Sequence, residues 1–262
     1  MSTEKIILAN NCIYESDPKI TGVNRNILAV GGTGSGKTYS IVIPQLLEVI
    51  RNKAPGVKIF ICTKRTVPDL FIPILISMKY KVYDLNFTDI LKGNCTFDPL
   101  AYIKKDEDII DLSESIVMAE ERKEKSHADP FWDQSAISLL NAEIAYIKET
   151  MEHPTFADVL DFHFSLNLDS RGDQFYTDVD NKFYHLEKEK PTCFAVQQWK
   201  TFRDAAPKTA QSIYVSLNST LMAFTETIRE SMRTLPTVDF NQLEATNSIL
   251  FITTSPVKRS LH

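Results

Sequence analysis

The chain has 262 residues, 43% of them hydrophobic, enough apolar material for one large domain or two modest ones around a true core. A formal charge of −5 and a pI near 5.6 exclude a protein that coats nucleic acid through bulk positive charge, which takes clustered Lys and Arg. The apolar runs 39–50 and 67–78 are broken by Pro44 and Gln45, or by Pro68, Asp69 and Pro73, so neither suits a bilayer span. No signal peptide opens the chain, and Cys12, Cys62, Cys95 and Cys193 form no C-x-x-C pair, as in a protein of reduced thiols.

In chain order, residues 26–30 (NILAV), 57–62 and 81–85 are apolar runs of strand length, and 37–50 and 67–78 are longer runs of helical length. That alternation predicts βαβ units and a parallel sheet. Pro44 removes a backbone donor inside the first helix and predicts a bend or restart there. Beyond Asp106 the period changes: Ile109, Leu112, Ile116 and Ala119, then Ala136, Leu140, Ile144 and Ile147, then Ala206, Ala210, Ile213, Leu217, Leu221 and Phe224 recur at helical spacing. A helical block is expected over 101–235, with a polar, glycine-containing loop at 169–181. Residues 247–254 (NSILFITT) predict a further, central strand.

Between the first strand and the first helix lies Gly31-Gly32-Thr33-Gly34-Ser35-Gly36-Lys37-Thr38, a match to G-x-x-x-x-G-K-[ST]. In such a loop the glycines let successive N–H groups turn toward phosphate oxygens and the next helix adds its positive end. Lys37 is then expected at the β- and γ-phosphates of ATP, with the Thr38 hydroxyl on Mg²⁺. Hydrolysis needs more, namely an acid at the end of a buried strand behind the metal. Asp84 lies within its run and is followed by LNF, a poor match, and the strand at 249–253 reaches no acid. The catalytic residues are therefore unknown from sequence.

Other sites are bland. His127, His153, His163, His185 and His262 lack H-E-x-x-H spacing and read as ordinary surface or half-buried residues rather than metal ligands. Residues 120–125 (EERKEK) read as a solvated helix end. Asp129-Pro130 reads as an N-cap followed by a proline at the first helical position, and Phe131 and Trp132 as core or domain-interface packing.

Several stretches together resemble the conjugative coupling proteins of the TraG/TraD type, hexameric membrane-associated ATPases that hand DNA and its relaxase to a type IV secretion channel. These are the phosphate loop with its helix proline, FDPLAYI at 97–103 with Asp98 where the family has Asn, DPFWDQSAISLLNAEIAYI at 129–147, and FRDAAPKTAQSIYVSLNSTLMAF at 202–224. The resemblance spans nearly the whole chain. It implies an α/β fold: a RecA-like P-loop NTPase domain, incomplete at its C-terminal end, with an inserted all-α domain. The corresponding segments are 1–100 (first part of the nucleotide domain), 101–235 (all-α domain) and 236–262 (return to the nucleotide domain). It also implies ATP and Mg²⁺ as cofactors, single-stranded DNA, relaxosome and channel components as partners, a homo-hexamer when complete, and a place in the cytoplasm at the inner face of the bacterial membrane.

Three departures stand out. The family's Asp-Pro-Lys-Gly turn is replaced by TKRTVPDL at 63–70, its N-terminal transmembrane helices are not in this sequence, and its Walker B acid lies beyond the last strand seen here. The rival expectations are a degenerate, non-hydrolysing binding module that works through its helices, and another DNA translocase or packaging ATPase.

Overall fold

The computed structural model describes residues 5–9, 12–15, 17–22, 26–51, 57–121, 130–166, 178–244 and 247–254. The chain separates into two compact units, one of Met1–Asp84 with Asp239–Thr254 and one built on Leu85–Val238. Hydropathy alone put the borders near 100 and 235. The segment after residue 84 belongs with the helices because Thr96 pairs with Thr237, its N–H donating to the Pro236 carbonyl at 3.0 Å.

The first unit opens with a hairpin, β1 (Lys5–Ala9) antiparallel to β2 (Cys12–Glu15), built on the apolar run 6–9 (IILA). A short turn of helix, α1 (Pro18–Thr21), follows. Next come α2 (Ile43–Arg51), β3 (Ile59–Cys62), α3 (Thr66–Ser77), β4 (Lys81–Asn86) and, from the far end of the chain, β5 (Ser248–Thr253). The sheet runs β3-β5-β4. Strands β3 and β5 are parallel, with Ile59 opposite Leu250 and Cys62 opposite Thr253. A parallel sheet is what the strand–helix alternation requires, since parallel neighbours need a crossover. β5 is the central strand, its residues almost wholly buried, which explains why its sequence is an unbroken apolar run.

Alternation selects the packed face. Val67, Phe71 and Leu75 line one stripe of α3, Leu46 and Ile50 one stripe of α2, and both close on Val82, Ile249 and Phe251. Phe60 stacks on Phe251 with centroids 5.6 Å apart. The opposite face of β3 is bare, with Ile59 and Ile61 exposed.

One expected strand is not formed. Residues 26–30 adopt no regular structure, and Leu28 and Val30 are 88% and 86% exposed. An apolar run shows fitness for a pleated surface but does not supply the neighbour that makes a strand. The helix after the loop does change at its proline, as a π turn over Thr38–Val42 gives way to α2.

The second unit is helical: α4 (Asp106–Glu121), α5 (Pro130–Thr150), α6 (Phe156–Ser165), α7 (Asp178–Glu189), α8 (Phe194–Arg203), α9 (Pro207–Leu221) and α10 (Glu226–Thr234). Helix α5 is its axis, packed against α4, α6, α8 and α9. Residues 141–145 are buried on every side of that helix, the mark of a central helix rather than a surface one. Phe183 lies flat on Trp199 at 4.3 Å, tying α7 to α8. The loop expected at 169–181 ends sooner, because α7 begins at Asp178: Val179 and Phe183 are buried and draw it into the core.

Candidate functional site

The loop 31–38 has the backbone its glycines predict. Gly34 and Gly36 take φ of +79° and +80°, a left-handed conformation that costs a side-chain-bearing residue about 1–2 kcal/mol. A Cβ on Gly31 would meet the Ser35 hydroxyl at 2.6 Å. The tight path lets Lys37 fold back across the loop. Its Nζ donates to the Gly31 carbonyl at 2.5 Å, the Gly32 carbonyl at 2.8 Å and the Ser35 Oγ at 3.4 Å. The ammonium stays accessible, since Gly31 through Ser35 are exposed while Gly36, Lys37 and Thr38 are half-buried. The structure thus brings Gly31, Gly32, Ser35 and Lys37 together, places Thr33 and Gly34 at the tip, and starts the helix with Thr38.

This donor set suits a polyphosphate. An exposed ammonium, glycines that admit close backbone approach and the start of a helix offer positive charge and N–H donors. Thr38 is the hydroxyl available to a divalent cation. Among the described residues no three His, Cys, Asp or Glu side chains gather as a metal site of their own.

Asp84, the acid a metal would most want, has another partner. It is 5% exposed and takes the Arg65 guanidinium two-pronged, at 2.6 and 2.9 Å. Arg65 also donates to Asp69 at 3.0 Å and to the Thr253 hydroxyl at 3.3 Å, so it clamps α3, β4 and the end of β5. The hydrogen bond to Asp84 raises the Arg65 pKa further, while burial pushes the neighbouring Cys62 thiol up. Arg65 stands in the slot that departs from Asp-Pro-Lys-Gly. No local pattern announces this pair, because its members are 19 residues apart and meet only through the fold.

Among the described residues the helical unit holds three buried acids, Asp98, Glu143 and Asp180. Asp98 Oδ1 accepts from the Leu100 and Phe156 N–H groups, both at 3.0 Å. Burial raises its pKa against the pull of those donors. Glu143 and His163 are both fully buried, with Nδ1 at 3.0 Å from each carboxylate oxygen. Burial is the first cause that raises Glu143, with His163 opposing it. Tyr214 leans over the His163 ring at 4.9 Å. His163 is therefore a core residue, contrary to its reading as a surface or half-buried one: the buried Glu143 side chain gives Nδ1 a partner, while Nε2 has none among the described residues.

Phe131 and Trp132 are 46% and 40% exposed in an edge-to-face pair, so they do not belong to the core of this unit. The Asp129 cap, most of 120–125 and the loop up to 177 lie outside the described residues. No helix among the described residues is long and apolar enough to cross a membrane.

A parallel α/β sheet beside a phosphate-loop sequence and a helical unit defines the class, and comparison supplies the family. The model of the type IV secretory system conjugative DNA transfer family matches residues 4–262, and the chain belongs to that family of TraG/TraD-type coupling proteins. No curated protein matches the chain.

Proposed function

We propose that this chain is the nucleotide-binding part of a conjugative coupling protein: a RecA-like P-loop domain that holds Mg-ATP, with the helices as an inserted all-α domain. In this reading the protein delivers DNA and relaxase to a type IV secretion channel, as a hexamer at the inner face of the membrane. What supports it is the loop, where Lys37 spans two backbone carbonyls over glycines at positive φ. Family membership supports DNA transfer.

Each residue has a task. Lys37 would neutralise the terminal phosphates, backbone N–H groups of the loop would hold phosphate oxygens, and Thr38 would hold the magnesium. Mg-ATP supplies the phosphoanhydride whose cleavage powers movement. Arg65 engages both carboxylate oxygens of Asp84, an observation that favours a second reading in which this chain binds nucleotide without turning it over.

Thermal unfolding tests the proposal. Mg-ATP at about 100 times its dissociation constant stabilises the fold by about 2.7 kcal/mol, a rise in melting temperature of roughly 5–10 °C for a chain of this size. Lys37→Ala abolishes the rise. An unchanged melting curve for the wild type, or equal shifts in both proteins, would contradict nucleotide binding at this loop.

A further inference from the structure

The helix that follows the phosphate loop reads TYSIVIPQLLEVIR. Its core face is set by Leu46 and Ile50, both at or below 5% exposure. In an unbroken α-helix the positions three, four and seven residues earlier, Ile43, Val42 and Tyr39, share that face. Ile43 and Val42 do pack on the core. Tyr39 does not, being 71% exposed.

Pro44 supplies the cause. It has no N–H, and in an α-helix its ring would press on the carbonyl of Ser40. The chain widens instead: the Ile43 N–H reaches back five residues to the Thr38 carbonyl, and Thr38–Val42 form a π turn. One extra residue in a turn rotates what precedes it by about 100°, which takes the tyrosine ring off the core face. Single π turns inside helices are frequent at functional sites.

We propose that Tyr39 is the side chain that stacks on the base of the bound nucleotide, with Pro44 as the residue that positions it; the inference rests on the nucleotide reading above. Tyr39 directly follows Thr38, the last residue of the phosphate loop, and its ring is presented to solvent rather than to the core. A flat aromatic face beside a phosphate site suits a nucleoside triphosphate, and stacking favours the larger purine over a pyrimidine. The ring needs no hydroxyl for this task.

The test is a calorimetric titration of the full chain with Mg-ATP and with magnesium tripolyphosphate, which carries the phosphates without a base. Tyr39→Ala weakens ATP binding about tenfold, within the roughly 5- to 150-fold spread of base–aromatic stacking, and leaves tripolyphosphate binding unchanged. Tyr39→Phe binds ATP as the wild type does. Pro44→Ala lets the turn close to α, and so reproduces the Tyr39→Ala pattern, loss for ATP alone.

ATP binding by Tyr39→Ala equal to wild type, or an equal loss for both ligands, overturns the role of Tyr39. Wild-type discrimination in Pro44→Ala overturns the role of Pro44. A wild type that binds both ligands equally keeps the loop as a phosphate site while refuting the base contact. One that binds neither removes the nucleotide reading itself.

Discussion

Asp98 places an ionisable carboxyl where only an acceptor is required. Both of its backbone donors go to one oxygen, Oδ1, which the amide oxygen of Asn can replace. Burial raises its folded pKa above the unfolded value. The group therefore favours the fold below its unfolded pKa, and that contribution is lost as pH rises through the folded pKa. Asp98→Asn is expected to be at least as stable as wild type at pH 7, with the difference shrinking as pH falls into the carboxylate range. Asp98→Ala leaves two buried N–H groups without an acceptor, at about 1–3 kcal/mol each. Urea unfolding of the three proteins at pH 4 and pH 7 decides the matter, and a wild type more stable than Asp98→Asn at pH 7 would refute it. Here the sequence showed the odd residue but not its cause, because the donor at Phe156 is 58 residues away.

Elements are held by pairs that join them. Arg65 ties α3 to β4 and β5, and Glu143–His163 ties α5 to α6. Removing one member of a buried ion pair strands the other, which costs about 3–5 kcal/mol. Arg65→Ala is expected to destabilise the chain by that order, and the double variant Arg65→Met with Asp84→Leu by clearly less. A single variant as stable as wild type in urea unfolding would show that Asp84 finds another partner. Glu143→Ala is also expected to destabilise the chain, since His163 Nδ1 then loses its hydrogen-bond partner in the core.

Among elements, α3, β4 and β5 were legible because each is a mostly apolar run of the right length, even with Pro68, Asp69 and Pro73 in α3 and Asp84 in β4. The run 26–30 has the same pattern without a paired strand, so an apolar run alone does not decide whether a strand forms. The π turn at Thr38–Val42 was legible only as a disturbance at Pro44. Its form depends on which carbonyl the Ile43 N–H reaches, and that is a property of backbone geometry rather than of composition.

On the scale of the whole molecule, the loop sequence and the family resemblance pointed to the same protein, and the family match over residues 4–262 joins them. The unit borders were less legible, because the segment from Leu85 to residue 100 is neither clearly strand nor clearly helix and is assigned by its partners Thr237 and Phe156. Chemistry follows from the same long-range contacts. With Asp84 engaged by Arg65, the proposed site serves only the ground state of a nucleotide, and uniform binding does not speed a reaction. Phosphate release from ATP by this chain is therefore expected to match the Lys37→Ala background, with or without single-stranded DNA. DNA-stimulated turnover lost in both Lys37→Ala and Asp84→Asn would place Asp84 behind the magnesium after all.

The central claim is that residues 31–38 bind a magnesium nucleotide through Lys37. Its most direct measurement is a calorimetric titration of Mg-ATP into the wild-type chain and into Lys37→Ala at equal concentration and salt. The account predicts a saturable heat of binding with one site per chain in the wild type and none in the variant, whose unfolding in urea is otherwise unchanged. Equal binding by the two proteins, or no binding by the wild type at millimolar Mg-ATP, would contradict it.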